Sequence, residues 1–125
     1  MYKYLVVGIG GFVGAIARFW LGVFIGQKMG TRFPYGTFVI NISGCFMIGF
    51  IMTILTERTH LSASWRYLIP IGFIGAYTTF STFEYETLRS IQDGQFVIGL
   101  LNILLSLIVG FVLVWTGVMV ARAIG

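Results

Sequence analysis

The sequence predicts an all-α integral membrane protein with four transmembrane helices in each subunit. Hydrophobic residues make up 58% of the 125 residues, whereas charged residues make up only 10%. The apolar residues fall into four runs of about twenty, the length with which a helix crosses a bilayer. A soluble domain of this size could not bury so much apolar surface. We therefore expect a single domain, 1–125, that is covered by lipid.

The four runs lie at 4–25, 37–55, 65 to about 88, and 96–120. The first is too long for the apolar region of a signal peptide, and no small-residue cleavage pattern follows it, so we expect it to be retained. The second contains Cys45, the only cysteine. One thiol cannot form an intrachain disulfide, so Cys45 is interpreted as a packing residue.

Glycines recur at helical spacing within the first and fourth runs. This spacing places bare backbone on one helix face and lets a second helix approach closely. The segment 8–14 also bears a faint likeness to a dinucleotide-binding fingerprint, but no strand precedes it, so helix packing is the interpretation we keep. The glycine pairs are Gly10 with Gly14, Gly22 with Gly26, and Gly110 with Gly117.

The basic residues are divided almost equally between the two sides of the predicted membrane. With four spans and short loops, both termini lie on one side. Orientation follows the excess of Lys and Arg in the loops, and here that excess is a single residue. Insertion in both orientations, with an antiparallel dimer as the result, is one reading; one fixed orientation is the other. The residues on the side of the termini are Lys3, Arg58, Arg66 and Arg122, and those opposite are Lys28, Arg32 and Arg89.

Two polar side chains within the first and second runs are candidates for function, because polar groups are costly at bilayer depth. Arg18 could bind backbone carbonyls of a neighbouring helix, or it could attract anions into a vestibule. Asn41 could bond to another helix, or it could point its N–H groups at a permeating anion. Position alone leaves both pairs of alternatives open.

The third run contains a hydroxyl-rich stretch, 72–83, that is a poor continuous helix. We therefore expect a break from Gly75 to Thr78. Non-helical backbone at bilayer depth persists only where protein or water satisfies its polar groups, and broken helices expose groups that bind ions. Phe80 and Phe83 share one helix face. They are either packing residues or rings whose positive edges face a small anion.

These motifs give the chain a resemblance to the Fluc family of fluoride channels, also called camphor-resistance or CrcB proteins. The similarity covers nearly the whole chain and is most specific in the third run. The segments that carry it are Gly10 to Arg18 (GGFVGAIAR), Gly36-Thr37 through Asn41 to Gly44, and Gly75 to Phe83 with its TTFSTF core.

The resemblance implies antiparallel, dual-topology homodimers with two fluoride pores, in a bacterial inner membrane. It also implies a structural Na⁺ at the dimer interface, held by backbone carbonyls of Gly75 and Thr78. In the fourth helix the match is weaker, since Gly110 stands where a hydroxyl is expected. The pore residues implied are Asn41, Phe80 and Phe83, with Ser81 and Thr82 in the hydroxyl lining and Asn102 and Ser106 at the plausible fourth-helix positions.

The predicted function is therefore a fluoride-selective channel that exports cytoplasmic fluoride passively, with fluoride and lipid as partners. A proton-coupled fluoride exchanger is the alternative. A small drug exporter is disfavoured because the first span carries Arg18 and no acid, and a membrane scaffold would not need the hydroxyl-rich break. Glu84 and Glu86 are expected near an interface, and His60 in a solvated loop. We expect neither enzyme activity nor nucleic-acid binding, because no nucleophile–base set is visible and the positive charges are scattered.

Overall fold

The computed structural model describes residues 1–58 and 60–125, and within them every regular element is a helix. The segment 64–77, here α3, is continuous but changes type: Ser64–Arg66 and Gly75–Tyr77 are α-helical, and Tyr67–Ile74 between them is a π-helix that contains Pro70. The other helices are α1 (Tyr2–Met29), α2 (Tyr35–Glu57), α4 (Phe80–Gln92) and α5 (Phe96–Ile124).

Three of these helices are long and apolar enough to cross a membrane. α1, α2 and α5 have 28, 23 and 29 residues, with mean hydropathy of 1.7, 2.2 and 2.8 over their most apolar windows. The third predicted span is divided into α3 and α4, neither of which is long enough alone. α5 begins at Phe96 as predicted, and the other helix ends lie one to four residues beyond the predicted runs, because polar residues there continue the backbone hydrogen bonding. The all-helical, multi-pass architecture is confirmed.

The break in the third span lies slightly later than the sequence suggested. Gly75–Tyr77 is still helical, and the extended residues are Thr78 (φ −86°, ψ 154°) and Thr79 (φ −149°, ψ 115°). β-Branched threonines favour extended backbone, and the Thr79 side chain caps the next helix by accepting from the Thr82 amide. The predicted break at the middle of the span is therefore present, but its start at Gly75 was wrong.

Glycines let the helices pack backbone against backbone, as predicted. A Cβ added at Gly10 or Gly14 of α1 would overlap backbone carbonyls of α3, and one added at Gly117 of α5 would overlap the Phe46 carbonyl of α2. Gly26 is different, since nothing lies within 4 Å of an added Cβ. Close packing thus joins α1 to α3 and α2 to α5.

This packing predicts a position-specific effect of adding a methyl group to α1. Gly14→Ala should lower stability by about 1–3 kcal/mol, the usual cost of overpacking, because its methyl would strike the Phe73 carbonyl. Gly8→Ala is the matched control on the same helix, since an added Cβ there meets nothing within 4 Å. Thermal unfolding in detergent measures both, and equal melting temperatures for the two variants would contradict the packing described here.

Both termini lie at the same end of the helix bundle. Arg122 near the end of α5 pairs with Glu57 at the end of α2, with Nε and Oε1 2.9 Å apart. Arg66 at the start of α3 donates to the Leu55 carbonyl (3.1 Å). Tyr2 and Ser64 also share a hydrogen bond between their hydroxyls. The chain therefore crosses the bundle an even number of times, as the sequence predicted.

Candidate functional site

The break between α3 and α4 is fastened to α2 by one amide side chain. Asn41 donates from Nδ2 to the Thr79 carbonyl (3.0 Å), and its Oδ1 accepts from the Thr79 amide (2.8 Å). The Asn41 amide therefore bonds to both the N–H and the C=O of the extended residue Thr79, as the backbone of a neighbouring β-strand does. Of the two readings of Asn41, the structural bond across to another segment is present, but its partner is the extended residue Thr79 and not a helical residue. Because an amide nitrogen carries two N–H groups, the second is left for another acceptor.

The same break removes the ordinary donors from two backbone carbonyls. In a continuous helix, the Thr79 amide would donate to the Gly75 carbonyl, but it donates to Asn41. Likewise the Thr82 amide, which would donate to the Thr78 carbonyl, donates to Thr79 Oγ1 (3.3 Å). Carbonyls freed in this way at bilayer depth are cation ligands in other broken-helix proteins. Gly75 and Thr78 are the positions that the family resemblance assigned to Na⁺.

The start of α4 is an internal helix N-terminus. Thr79 is its cap, and its hydroxyl also bonds to Thr82 Oγ1 (3.1 Å). Aligned peptide dipoles give such a terminus a partial positive charge, and its first N–H groups point outward from the helix end. α4 is thirteen residues long. The break therefore provides a partial positive charge, of the sign that attracts anions, from its backbone groups alone.

A cavity of about 370 Å³ opens at this break. It brings together many of the side chains that the sequence singled out, from α2, α3, α4 and α5. No carboxylate, amine or imidazole is among the lining residues. Its lining includes Asn41, Gly75, Thr78, Phe80, Phe83 and Ser106.

The two phenylalanine rings of α4 lie side by side at the cavity, but their exposure differs greatly. Their centroids are 5.9 Å apart and their planes are inclined by 53°. Phe83 is 6% exposed, whereas Phe80 is 71% exposed. Phe83 is thus packed within the chain, whereas most of the Phe80 ring lies exposed at its surface.

Other candidate residues lie outside this cavity. Ser81 is exposed and Thr82 takes part in the cap of α4. Asn102 is only 1% exposed and bonds to Thr87 and Ser106. Arg18 donates from Nε to the Ala76 carbonyl (3.0 Å), immediately before the break. The geometry favours the structural reading of Arg18, while pore roles for Ser81, Thr82 and Asn102 stay predictions.

A second cavity of about 290 Å³ lies toward the end of the bundle opposite the termini. Thr37 and Glu86 line it, and they are one turn from Asn41 on α2 and from Phe83 on α4, respectively. The two cavities therefore follow the same pair of helix faces. Charged residues of both signs surround the outer cavity: Arg32, Glu86, Arg89 and Asp93.

Sequence reasoning undervalued Glu86 and missed Thr87. Glu86 is half-buried, and its Oε1 is enclosed with no hydrogen-bond partner among the residues that the structure describes. Thr87 is 6% exposed and bonds to Asn102 Nδ2 (2.9 Å). The available signal was their spacing: they follow Phe83 by three and four residues, so they share its helix face.

The cavity is mostly apolar and has a few polar side chains, those of Asn41, Thr78, Thr79 and Ser106. A broken membrane helix beside such isolated polar groups is typical of the class of ion-conducting and ion-transporting membrane proteins. Residues 5–118 match the family model described as "CrcB-like protein, Camphor Resistance (CrcB)". The chain belongs to this CrcB-like family.

Several curated relatives cover nearly the whole chain, and each is named "Fluoride-specific ion channel FluC". One from Acidobacterium capsulatum is 55% identical over 98% of both chains. One from Solibacter usitatus is 49% identical over 96% of this chain and 98% of its own. A third, from Sulfurihydrogenibium sp., is 42% identical over 98% of both. These relatives are named as channels and not as enzymes, in agreement with the expectation from the sequence.

Proposed function

We propose that this chain forms a fluoride-selective channel through which cytoplasmic fluoride leaves the cell passively. The names of its relatives support the substrate and the class of activity. The observation that carries the proposal is the cavity at the break, where Asn41 of α2 lies beside Phe80 and Phe83 in the first turn of α4. A bacterial inner membrane is the location that we infer, because HF enters cells neutral, dissociates inside and leaves fluoride to be exported.

The chemistry of the cavity suits a small, strongly hydrated anion. Removing water from fluoride is costly unless other donors replace it. The second N–H of Asn41, the hydroxyl of Ser106 and the edges of the two rings are neutral, partially positive groups. Conduction also requires that each site bind weakly enough to release the ion, and a row of neutral donors meets this condition better than one fixed cation.

A passive channel is favoured over a proton-coupled exchanger by the absence of acidic and imidazole groups from the lining of the inner cavity. Glu86, in the outer cavity, is the one described feature that favours the exchanger. If a pH gradient alone drove fluoride uphill in liposomes, and Glu86→Gln abolished that coupling, the exchanger would replace the channel.

The decisive experiment is ion efflux from liposomes that contain the purified protein. We expect fluoride to leave at a rate at least about a hundred times that of chloride, since larger and less basic chloride gains less from fixed donors. A fluoride electrode and a chloride electrode record the two fluxes from the same vesicles. Comparable rates for the two ions would refute fluoride selectivity.

We further propose that the working unit is an antiparallel homodimer with two pores. Gly75 and Thr78, whose carbonyls lack their ordinary helical donors, line the inner cavity together with Phe80, and Gly75 and Phe80 are exposed. Lipid cannot satisfy such carbonyls, so a second copy is the cover that we infer. The nearly equal division of basic residues supports opposite orientations. A C-terminal tag that is accessible from only one side of the membrane would exclude this arrangement.

The proposed dimer has a site for sodium between its subunits. The donors fit, because backbone carbonyl oxygens without hydrogen-bond partners are the ligands that unwound membrane helices offer to Na⁺. The carbonyls of Gly75 and Thr78 would hold the ion, and its positive charge would bring the carbonyl dipoles of two subunits together. Four carbonyls, two from each copy, would then share one cation.

Sodium removal should therefore weaken the dimer. Exchanging Na⁺ for N-methylglucamine is expected to increase the monomer fraction severalfold in size-exclusion chromatography at low protein concentration. Gly75→Val should do the same, although within its own subunit an added Cβ would make only ordinary contact, 3.7 Å from the Pro70 carbonyl. A dimer that is indifferent to both changes would contradict the proposed site.

A further inference from the structure

A chain of three hydrogen bonds leads from Ser106, at the inner cavity, to the backbone of α4. Ser106 Oγ donates to Asn102 Oδ1 (3.3 Å), Asn102 Nδ2 donates to Thr87 Oγ1 (2.9 Å), and Thr87 Oγ1 donates to the Phe83 carbonyl (2.8 Å). Asn102 and Thr87 are 1% and 6% exposed. The two middle members are thus removed from lipid and from the cavity.

The direction of every bond in this chain follows from its last member. A backbone carbonyl can only accept, so the proton between Thr87 and Phe83 belongs to Thr87. Thr87 has no second proton, and it must accept from the NH₂ group of Asn102. The Asn102 oxygen then faces Ser106, which must donate its single proton.

The consequence for the cavity is that the Ser106 hydroxyl proton points away from it. With its proton directed at Asn102, Ser106 presents its oxygen lone pairs to the cavity, and lone pairs repel an anion. Ser106 can serve fluoride as a donor only if its hydroxyl rotates and gives up the 3.3 Å bond to Asn102. Fluoride and Asn102 therefore compete for one proton.

We propose that Asn102 and Thr87 are positioning residues that hold the Ser106 proton away from the inner cavity and so weaken fluoride binding at Ser106. The inference rests on the proposed function, since it assigns these two residues a part in fluoride binding. Neither residue touches the ion: both act through Ser106. Weak binding at Ser106 favours release of the ion to the next site, which conduction requires.

The test is Thr87→Val, which keeps the shape of the side chain and removes the hydroxyl. The Asn102 NH₂ group then has no acceptor on α4, so the amide is free to rotate and to donate to Ser106 Oγ. Once Ser106 accepts from Asn102, its own proton turns toward the cavity. One net hydrogen bond gained should lower the half-saturating fluoride concentration for efflux about fivefold. Thr87→Ser retains the hydroxyl and should behave as the unmodified protein.

The same substitution in a Ser106→Ala background separates positioning from a general structural role. Because the effect passes through the Ser106 hydroxyl, Thr87→Val should leave half-saturation unchanged when that hydroxyl is absent. The matched control is Thr53→Val. Thr53 is also buried (8% exposed) and bonds back to the carbonyl four residues earlier, that of Gly49 (2.7 Å), but it receives no amide bond. Its replacement should not shift half-saturation.

A second variant keeps the test decisive if Thr87→Val folds poorly. Asn102→Leu removes the acceptor of the Ser106 proton and should also lower half-saturation, again only when Ser106 is present. Equal shifts with and without the Ser106 hydroxyl, or no shift in folded Thr87→Val and Asn102→Leu, would overturn the inference. Absence of fluoride efflux from the unmodified protein would instead refute the proposed function itself.

Discussion

Asn41→Asp is expected to abolish fluoride efflux while leaving the helices assembled. A carboxylate could still accept from the Thr79 amide, but it could not donate to the Thr79 carbonyl, and it would add a negative charge to the inner cavity. At an effective dielectric constant of about 20, two like charges about 4 Å apart repel by about 4 kcal/mol. That energy corresponds to roughly a thousandfold lower occupancy by fluoride. Efflux from liposomes with a fluoride electrode measures the loss.

The matched control for this variant is Gln92→Glu, which makes the same amide-to-carboxylate change. Gln92 is the exposed last residue of α4 and lies outside both cavities. Its variant should retain nearly the full rate, and circular dichroism should give the same helix content for both proteins. If Asn41→Asp also kept its rate, Asn41 would be a structural clamp alone.

The second large effect is expected from the two phenylalanines at the cavity. Replacement of either Phe80 or Phe83 by isoleucine removes a ring whose edge carries partial positive charge. It also removes the contact between the two rings, and aromatic pairs contribute about 0.5–1.5 kcal/mol. We expect efflux to fall about tenfold in each variant. Phe80 is the cleaner test, because at 71% exposure its loss disturbs little packing within one subunit.

Phe111→Ile is the control for Phe80→Ile. Phe111 has nearly the same exposure, 69%, but it lies on α5 and outside both cavities. A large loss of efflux for Phe80 and none for Phe111 would indicate that the exposed Phe80 ring lies on the path of the ion. Near-normal efflux in both Phe80→Ile and Phe83→Ile would return the two rings to simple packing.

The helical architecture was predictable because it depends on the length and composition of contiguous runs. The glycine packing was also predictable in part: Gly10 and Gly14 lie against α3, but equally spaced Gly26 packs against nothing. Spacing specifies a bare helix face, whereas the position of the neighbouring helix decides whether that face is used. The start of the break was predicted too early for a similar reason, since glycine and threonine both weaken a helix. Only the bonds from Asn41 to Thr79 and from Thr82 to the Thr79 cap show that Thr78 and Thr79 are the extended residues.

Within the site, the sequence identified the residues that carry unusual chemistry for a membrane helix. Asn41 and the phenylalanine pair stood out in an apolar chain, and the structure brings them to one cavity. Thr87 did not stand out, because a single threonine in a membrane helix usually bonds to its own backbone. Thr87 does so as well, and its second bond, to Asn102 on α5, depends on how two helices meet.

The interruption at Thr78 and Thr79 also constrains how such a protein can change over time. The carbonyls proposed for sodium end one helix, and the terminus proposed to attract fluoride begins the next, only two residues away. Both depend on the same two non-helical residues and on one amide that fastens them. A substitution that restored a continuous helix would therefore remove both sites in a single step. If both proposals hold, dimer assembly and anion selectivity are inherited together, and neither can be tuned at this position without altering the other.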